Sequence, residues 1–411
     1  MKPRILFVHT VCPSQFSDLC EHLNSAGLAQ AYYMTTPGNL ERNQSRYQNL
    51  LPLTPDGNMM APYAYYYSGK VERAGRIGIG LYREIKALLK KRKFDLVVAH
   101  GSLGSPHFIF DEFDLPVITY IEFPSYADHG WDPKYPPTDA QRLVDKNMQM
   151  LSYYEAIKSA RTLVPTEYAR RMFPDYLQPT IVAQFEGIDT DKVAQREPCD
   201  VTLPTDKKLL GFAARDLSSA KGLDSFIATA KHLTAQRQDI HFVIIGDPAS
   251  TTYGYEQIFL DRKYGKNSGV HFIDHLLRQH KLDTQYITRT GKLPYNQFSD
   301  LLHRIDAFMY PVKYGSGNWG LLELLVRGRP VIAAQRCYVP EMIEDGVNGV
   351  LVAQDTPAAW SDAVCRVLDD APLRQALGHN AMDAARRYHL PRAAQNYMAL
   401  FNEVIAQHTA R

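Results

Sequence analysis

The sequence predicts an α/β fold built from doubly wound parallel sheets. Short apolar runs rich in β-branched residues recur along the chain, and longer amphipathic runs with helical periodicity separate them. Continuous apolar runs are typical of strands buried on both faces, and their alternation with helices predicts parallel strands joined by crossover helices. The 411 residues are too many for one compact core of ordinary size, so we expect two such domains.

The strand and helix patterns divide the chain into two halves. In the first half, residues 82–91 have the period of an amphipathic helix, and three apolar runs predict strands at residues 5–8, 96–99 and 117–120. The alternation pauses near residue 181 and restarts with predicted strands at residues 209–212, 241–245, 286–288, 307–310 and 331–333. We therefore expect a first domain over 1–187, a linker over 188–206, a second domain over 207–390 and a terminal helix over 391–411.

Composition and charge exclude several classes of protein. Hydrophobic residues make up 45% and charged residues 22% of the chain, which is typical of a globular protein. The formal net charge of +2 gives no basic surface for nucleic acid. The five cysteines have no metal-ligand spacing and indicate free thiols in a reducing compartment. With no signal-peptide core and no apolar run of roughly 18 residues, we expect a cytoplasmic location.

Two cations flank the turn after the first predicted strand of the second half. Arg215 follows that strand, and Lys221 precedes Gly222, where we expect a helix to begin. Cationic side chains and a helix N-terminus together can bind a diphosphate. Fixed cations also stabilise the negative charge that grows as a nucleotide diphosphate departs. Taken alone, an exposed Arg and Lys on an ordinary surface loop explain these residues equally well.

A second segment leads from a loop into a helix that carries Glu323. Gly328 ends this helix and Pro330 leads into a strand. A carboxylate in the first turn of a helix can accept both hydroxyls of a ribose, and the neighbouring backbone amides can face a phosphate. The alternative is an acidic residue that only satisfies the helix dipole. The candidate nucleotide-binding residues of this segment are Asn318, Gly320, Leu321, Leu322 and Glu323.

Polar side chains follow three predicted strands of the first half. His9 and Gln15 come after residues 5–8, His100 after residues 96–99, and Glu122 after residues 117–120. Loops at the carboxyl ends of parallel strands line the cleft of such sheets, so these side chains predict one substrate-facing surface. His100 is the candidate for contact with a transferred group or an acceptor hydroxyl. Structural hydrogen bonding explains each residue as well.

With these motifs, the chain resembles glycosyltransferase family 4, whose GT-B fold has two Rossmann-like domains facing across a cleft. The usual signature of that family is a Glu, seven residues, a second Glu, and then Gly-x-Pro-Val-Ile-Ala. Glu323, Gly328 and residues 330–333 match its second half, whereas Gly315 stands where the first Glu is usual. The segment is similar to that of a subgroup with Ser-Trp-Ser-Leu-Leu-Glu. Other stretches that resemble this subgroup are residues 7–9, 13–16, 122–123, 131–133, 186–191, 246–247, 253–254 and 291–295.

The resemblance implies roles for individual residues. Arg215 and Lys221 would bind the donor diphosphate, Glu323 its ribose, and residues 315–318 would lie near the sugar. The terminal helix would cross back to the first domain. Retaining members of this fold are thought to let the leaving phosphate take the acceptor proton, so no protein base and no metal are expected. The residues that would border the nucleotide base are Gly246, Asp247, Gly291, Lys292 and Leu293.

Two other patterns were weighed against simpler interpretations. The sequence 189–191 spells Asp-x-Asp, a metal-binding motif elsewhere, but no second ligand cluster accompanies it and we predict no metal site. The amphipathic run at residues 82–93 ends in four basic residues. A surface helix with a solvated basic end is the simpler interpretation, and peripheral contact with an anionic membrane is the alternative.

The sequence therefore predicts a retaining glycosyltransferase that moves a hexose-type sugar from a UDP- or GDP-sugar to an acceptor hydroxyl. The acceptor would be a glycan, a glycolipid or a small molecule, in surface glycan or glycolipid biosynthesis. Two alternatives stay open at this point. One is a nucleotide-sugar epimerase or a phosphorylase on the same fold, and the other is a non-catalytic scaffold that binds sugar nucleotides.

Overall fold

The protein, described by a computed structural model over residues 2–125, 130–250 and 255–410, divides into two compact units. The first unit comprises Met1–Ala127, Asp139–Asp189 and Tyr388–Arg411, and the second comprises Asp128–Thr138 and Thr190–Arg387. The sequence predicted contiguous domains followed by a terminal helix. In the structure, a short segment from the first half of the chain packs with the second unit.

A sheet of seven strands forms the centre of the first unit. Its strands are β1 (Arg4–Val8), β2 (Gln30–Thr35), β3 (Leu50–Pro52), β4 (Leu96–His100), β5 (Val117–Tyr120), β6 (Arg161–Val164) and β7 (Ile181–Ala183). They are all parallel and lie in the order β3-β2-β1-β4-β5-β6-β7. The strands predicted in this half are confirmed as β1, β4 and β5.

The helices of the first unit pack on both faces of this sheet through separate apolar clusters. The helix predicted near residues 82–91 begins earlier, at Gly69. Its glycines weaken the helical pattern in the sequence, and Gly80 is needed where a Cβ would lie 2.2 Å from the Thr54 carbonyl oxygen. The helices are α1 (Ser17–Ser25), α2 (Pro37–Asn43), α3 (Gly69–Leu88), α4 (Gly101–Gly104), α5 (Asp139–Lys158) and α6 (Glu167–Arg171).

The second unit has a sheet of six parallel strands. The strands are β8 (Lys208–Asp216), β9 (Ile240–Asp247), β10 (Ile287–Gly291), β11 (Ala307–Tyr310), β12 (Val331–Ala334) and β13 (Val350–Val352), in the order β10-β9-β8-β11-β12-β13. All five strands predicted for this half are confirmed. The helices are α7 (Thr190–Ala194), α8 (Leu223–Thr234), α9 (Glu256–Tyr264), α10 (Phe272–His280), α11 (Tyr295–His303), α12 (Trp319–Val326), α13 (Val339–Met342), α14 (Pro357–Asp369) and α15 (Ala371–Ala385).

Both sheets have the doubly wound order in which the direction of strand addition reverses once. The reversal lies between β1 and β4 in the first unit and between β8 and β11 in the second. In such sheets ligands bind outside the carboxyl ends of the strands at this reversal point. The prediction of an α/β fold with two doubly wound parallel sheets is therefore confirmed, and the two reversal points locate the candidate sites.

The chain ends in helix α16 (Leu390–Thr409), which packs on the sheet of the first unit. Pro391 lies at the start of this helix, where a missing N–H costs little. Its buried side chains recur at helical spacing, and Tyr397 and Phe401 are fully buried beside the strands. The helix therefore completes the core of the first unit.

We expect Phe401→Ala to lower the free energy of unfolding of the first unit by about 3–5 kcal/mol, because it empties a fully buried site. Asn402→Ala, at the exposed neighbouring position, should change that free energy by less than about 0.5 kcal/mol. Urea denaturation followed by circular dichroism compares the two variants. Equal stabilities would contradict a core role for α16.

Candidate active site

The loop at residues 217–222 follows β8 at the reversal point of the second sheet. Its Ala220 carbonyl accepts a hydrogen bond from the Lys313 backbone N–H at 2.9 Å, from the segment after β11. Gly222 precedes α8 with φ of 82°, and a Cβ there would lie 2.0 Å from the Pro311 carbonyl oxygen. Glycine therefore allows the loop after β8 and the segment after β11 to meet backbone to backbone.

Two predicted catalytic cations lie around this loop. The Lys221 Nζ donates to Asn318 Oδ1 at 3.0 Å, which joins the loop to the start of α12. Arg215 is 67% exposed, and its Nε lies 3.3 Å from a carboxylate oxygen of Asp216. Asp216 is fully buried and also accepts a hydrogen bond from the Ser250 hydroxyl. A buried carboxylate thus orients the guanidinium at the carboxyl end of β8.

The predicted ribose-binding residue Glu323 lies on α12. The sequence placed it in the first turn of this helix, whereas in the structure it lies beyond that turn. The Leu321 N–H donates to the Asn318 carbonyl at 3.2 Å, so this amide already has a partner. The side chains of Leu321 and Leu322 are buried and Gly320 is exposed. The leucines therefore anchor the helix, and the exposed backbone at Gly320 is the part of this turn that a ligand can approach.

The Glu323 carboxylate has partners from two helices. The Tyr295 hydroxyl, at the start of α11, lies 2.8 Å from its Oε1 and 3.0 Å from its Oε2. The Arg327 guanidinium donates to Oε2 and to the Glu323 carbonyl, and it reaches the Ser299 hydroxyl at 3.1 and 3.2 Å. Burial, followed by the neighbouring carboxylate, raises the pKa of Tyr295, so the phenol is protonated and donates. Arg327 is buried and keeps a compensating charge beside Glu323.

The residues predicted to border the base lie at the ends of β9 and β10, the two strands that follow β8 toward one edge of the sheet. Gly246 and Asp247 end β9, and Gly291 ends β10, followed by the exposed Lys292 and the half-buried Leu293. Since β8, β9 and β10 are neighbours and parallel, these residues lie along the same edge of the sheet. The stretch 253–254, which the resemblance also singled out, lies outside the described residues.

A buried cation holds two carboxylates together beside this loop. Lys313 Nζ lies 2.8 Å from Asp132 Oδ2, and 2.7 and 2.6 Å from the two carboxylate oxygens of Asp224. All three side chains are buried, and Lys134 reaches the edge of the group at 3.5 Å from Asp224. Burial disfavours the charged amine, but the two carboxylates outweigh it and raise the pKa of Lys313. We call Lys313, Asp132 and Asp224 the ion cluster.

Residues 130–138, which we call the strap, bring Asp132 to the second unit. The Tyr135 ring of the strap packs edge-on against Phe259 of α9 at 5.3 Å and Phe272 of α10 at 5.0 Å. Tyr135 belongs to the apolar core of the second unit. The strap is therefore an integral part of that unit, held by the packing of Tyr135 on two aromatic rings and by the buried ion pair of Asp132 with Lys313.

The first unit brings its four predicted residues together at its own reversal point. His9 follows β1 and His100 ends β4, and their rings meet edge to face with centroids 4.9 Å apart. Gln15 Nε2 donates to Glu122 Oε1 at 2.9 Å, just beyond β5. The expected clustering of these polar side chains is thus present in the first unit.

Both histidines are neutral at physiological pH. Burial is the main cause in each case, and it lowers the pKa of His9 to about 4. Burial, followed by the neighbouring His9, also holds the pKa of His100 well below its usual value. His9 Nδ1 accepts the Val11 N–H at 2.9 Å, and His100 Nδ1 accepts the Leu103 N–H at 3.3 Å. With Nδ1 accepting, each ring carries its proton on Nε2.

Two family models match nearly all of the chain between residues 42 and 383. The model for the glycosyl transferase family 4 group matches residues 42–193, and the model for glycosyl transferases group 1 matches residues 195–383. The chain belongs to glycosyltransferase family 4.

Individual relatives of this glycosyltransferase are distant. It is 23% identical over 308 residues to the α-D-kanosaminyltransferase of Streptomyces kanamyceticus. The aligned region covers 73% of each chain. It is 22% identical over 290 residues to the D-inositol 3-phosphate glycosyltransferase of Corynebacterium glutamicum, covering 69% of this chain and 64% of the relative.

Solved structures confirm the GT-B fold. Sucrose-phosphate synthase from Thermosynechococcus elongatus superposes with a TM-score of 0.74 at 16% identity, over 99% of this chain and 100% of that one. Anabaena Alr3699/HepE in complex with UDP and glucose superposes with a TM-score of 0.68 at 12% identity, over 98% and 100%. At these identities the likeness concerns the fold.

Several residues around the candidate site were not predicted from the sequence. The ion cluster was not predicted, although Trp131-Asp132-Pro133 had been noted as a family-like stretch. Tyr295 and Arg327 were not assigned either. Arg327 stands four positions after Glu323, the spacing of an ion pair on one helix face, and this signal could have found it.

The structure also describes the basic amphipathic run at residues 82–93 and the Asp-x-Asp sequence at residues 189–191. The apolar side chains of α3, such as Ile77, Leu81 and Ile85, are buried in the core, and the basic residues at 90–93 follow the helix. Membrane contact through residues 82–93 therefore stays a prediction. Within residues 2–125, 130–250 and 255–410, no helix is both long and apolar enough to cross a bilayer, and no His, Cys, Asp or Glu cluster is arranged to hold a metal.

The depressed pKa of His9 predicts a pH dependence of stability. Between the ordinary value of 6.5 and the folded value of about 4, the unfolded chain binds a proton that the folded chain does not. The stability of the first unit should therefore fall as pH decreases through this window. His9→Asn should make that fall shallower in urea denaturation series.

The matched control is His379→Asn, at a histidine whose side chain is 71% exposed. It lies in the second unit and should leave the pH slope of the first unit unchanged. A His9→Asn slope equal to the wild-type slope would show that His9 titrates alike in both states.

Removal of the cation at Lys313 should destabilise the second unit strongly. Lys313→Met leaves Asp132 and Asp224 buried and facing each other, and we expect a loss of about 3–5 kcal/mol in the free energy of unfolding. Adding Asp132→Asn to Lys313→Met should restore part of that loss, because one of the opposed charges is then removed. Urea denaturation of both variants measures the effect. If Lys313→Met left the free energy of unfolding unchanged, the ion cluster would not stabilise the second unit.

Proposed function

We propose that this glycosyltransferase moves a hexose-type sugar from a UDP- or GDP-sugar to an acceptor hydroxyl, with retention of configuration at the anomeric carbon. The observation that carries the proposal is the contact between Lys221, in the loop after β8, and Asn318, which precedes the helix that carries Glu323. Lys221 and Asn318 are 97 residues apart in sequence and share a hydrogen bond. Asn318 is the N-cap residue of α12, and Glu323 lies on that helix.

The donor would bind along the carboxyl edge of the second sheet. Arg215 and Lys221 would pair with the diphosphate, and the charge of these side chains would stabilise it further as the glycosidic bond breaks. The Glu323 carboxylate would accept the ribose hydroxyls, and the ends of β9 and β10 would border the base. The proposal requires no metal, since the two cationic side chains would supply the positive charge.

The reaction breaks the bond between the anomeric carbon and the donor phosphate oxygen. The acceptor oxygen then bonds to that carbon on the same face, and the acceptor proton passes to the departing phosphate. Burial lowers the pKa of His9 and of His100, which makes both rings weak proton acceptors and agrees with a scheme in which the donor phosphate takes the proton. In this scheme the group His9, Gln15, His100 and Glu122 of the first unit would orient the acceptor hydroxyl or the sugar through hydrogen bonds. The acceptor would be a glycan, a glycolipid or a small molecule with a free hydroxyl.

The test is thermal unfolding with UDP, GDP and their sugar conjugates, each with and without EDTA. A nucleotide at about 100 times its Kd should stabilise the protein by about 2.7 kcal/mol. One base should be selected, and EDTA should leave the shift unchanged. Proton NMR of the sugar released by slow donor hydrolysis should show the anomeric configuration of the donor.

Glu323→Gln should weaken binding of the selected nucleotide about tenfold or more, because hydrogen bonds from the ribose to a charged acceptor are lost. Glu344→Gln makes the same chemical change at an exposed position of the second unit and should leave binding unchanged. If Glu323→Gln left the Kd for the nucleotide unchanged, the assignment of Glu323 to the ribose would be refuted. An inverted product would refute retention, and loss of the shift in EDTA would refute metal independence.

A further inference from the structure

Tyr295 faces Glu323 from the solvent side of the second unit. It is the first residue of α11, four positions after β10 ends at Gly291, and the residue is 40% exposed. Glu323 itself is only 8% exposed. The phenol therefore lies at the boundary between this carboxylate and water.

The two carboxylate oxygens of Glu323 have different partners. Oε2 accepts the Arg327 guanidinium and lies 3.0 Å from the Tyr295 hydroxyl. Within the described parts of the chain, the hydrogen bond found at Oε1 is the one from the Tyr295 hydroxyl, at 2.8 Å. Arg327 thus holds one side of the carboxylate from the interior, and Tyr295 occupies the other side.

A ribose that binds Glu323 needs the position that the phenol holds. A ribose hydroxyl that donates a hydrogen bond to this carboxylate would lie within about 3 Å of its oxygens. The Tyr295 hydroxyl meets that description at 2.8 and 3.0 Å. The phenol also accepts a long hydrogen bond from Arg327 Nη2, at 3.4 Å. Tyr295 is 40% exposed and Arg327 is almost completely buried, so Tyr295 is the partner that an incoming ligand can displace.

We infer that Tyr295 is a built-in competitor for the donor ribose, an inference that rests on the proposed role of Glu323. Without nucleotide, the phenol satisfies the carboxylate. Nucleotide binding exchanges the phenol for the ribose, and departure of the product lets the phenol return. The exchange lowers nucleotide affinity and speeds release of the nucleoside diphosphate, while Arg327 keeps Glu323 in position throughout.

The experiment compares Tyr295→Phe with the wild type by calorimetric titration with UDP and with GDP. Removing the phenol hydroxyl should lower the Kd of the bound nucleotide several-fold, up to about tenfold, since one competing hydrogen bond is lost. The dissociation rate, measured by displacement of a fluorescent nucleotide analogue, should fall as well. In steady-state assays with the sugar conjugate, KM and kcat should fall together.

The matched control is Tyr286→Phe. Tyr286 lies just before β10, at the amino end of that strand, and its hydroxyl donates a hydrogen bond to Gln238. It should leave the Kd unchanged. In a Glu323→Gln background, Tyr295→Phe should have a much smaller effect, because the competition acts through the carboxylate charge.

The outcomes separate this inference from the proposed function. If Glu323→Gln weakens nucleotide binding but Tyr295→Phe leaves it unchanged or weaker, the competition is refuted and the ribose site stands. A Glu323→Gln variant that binds like the wild type refutes the ribose site itself. Tighter binding in Tyr295→Phe that persists fully in the Glu323→Gln background assigns the effect to another contact and also refutes the competition.

Discussion

The buried ion cluster is the interaction on which the second unit depends. Lys313 neutralises Asp132 and Asp224, which come from the strap and from the first turn of α8. Two carboxylates so close together in the protein interior would repel each other without the amine. The same lysine also donates its backbone N–H to Ala220 in the loop after β8. One residue therefore fixes the strap, the start of α8 and the loop that carries Lys221.

The two units offer different electrostatic environments at their reversal points. In the second, Arg215 is ion-paired yet largely exposed to solvent, so an anionic ligand can reach its charge. In the first, the histidines are buried and uncharged, and Gln15 and Glu122 are bonded to each other. This contrast agrees with the proposed chemistry, in which one unit compensates phosphate charge and the other offers hydrogen-bonding groups without a cationic side chain among them. Both arrangements follow from burial and from the charges nearby.

The sequence predicted the parts of the molecule that local pattern determines. Strands buried on both faces, such as β1, β4, β8 and β11, are continuous apolar runs and were found. Strands such as β2 and β13 were not singled out, and β13 has only three residues. The polar residues after β1, β4 and β5 were correctly grouped, because the carboxyl ends of neighbouring parallel strands meet at one edge. Their roles, and those of the residues along the second sheet, stay predictions.

What the sequence could not predict depends on contacts between distant residues. Asp132 is 181 positions away from Lys313, and nothing in the local pattern around either residue indicates the pair. The Tyr295 hydroxyl meets Glu323 from a different helix, 28 positions earlier. The position of Glu323 beyond the first turn depends on where α12 begins, and helix ends are the least certain feature of a sequence pattern. These are tertiary effects, and they concentrate where the candidate site is.

The strap has a consequence for how this protein can be divided and recombined. A contiguous fragment that begins at Thr190 contains Lys313 and Asp224 but lacks Asp132 and Tyr135, so it exposes a buried amine and part of an apolar core. The halves of two related enzymes therefore cannot be exchanged at a single crossover point near residue 190 without also transplanting residues 130–138. Gene shuffling that ignores this would join halves whose ion cluster is incomplete. The nine-residue strap is then inherited with the second half, although the gene encodes it within the first.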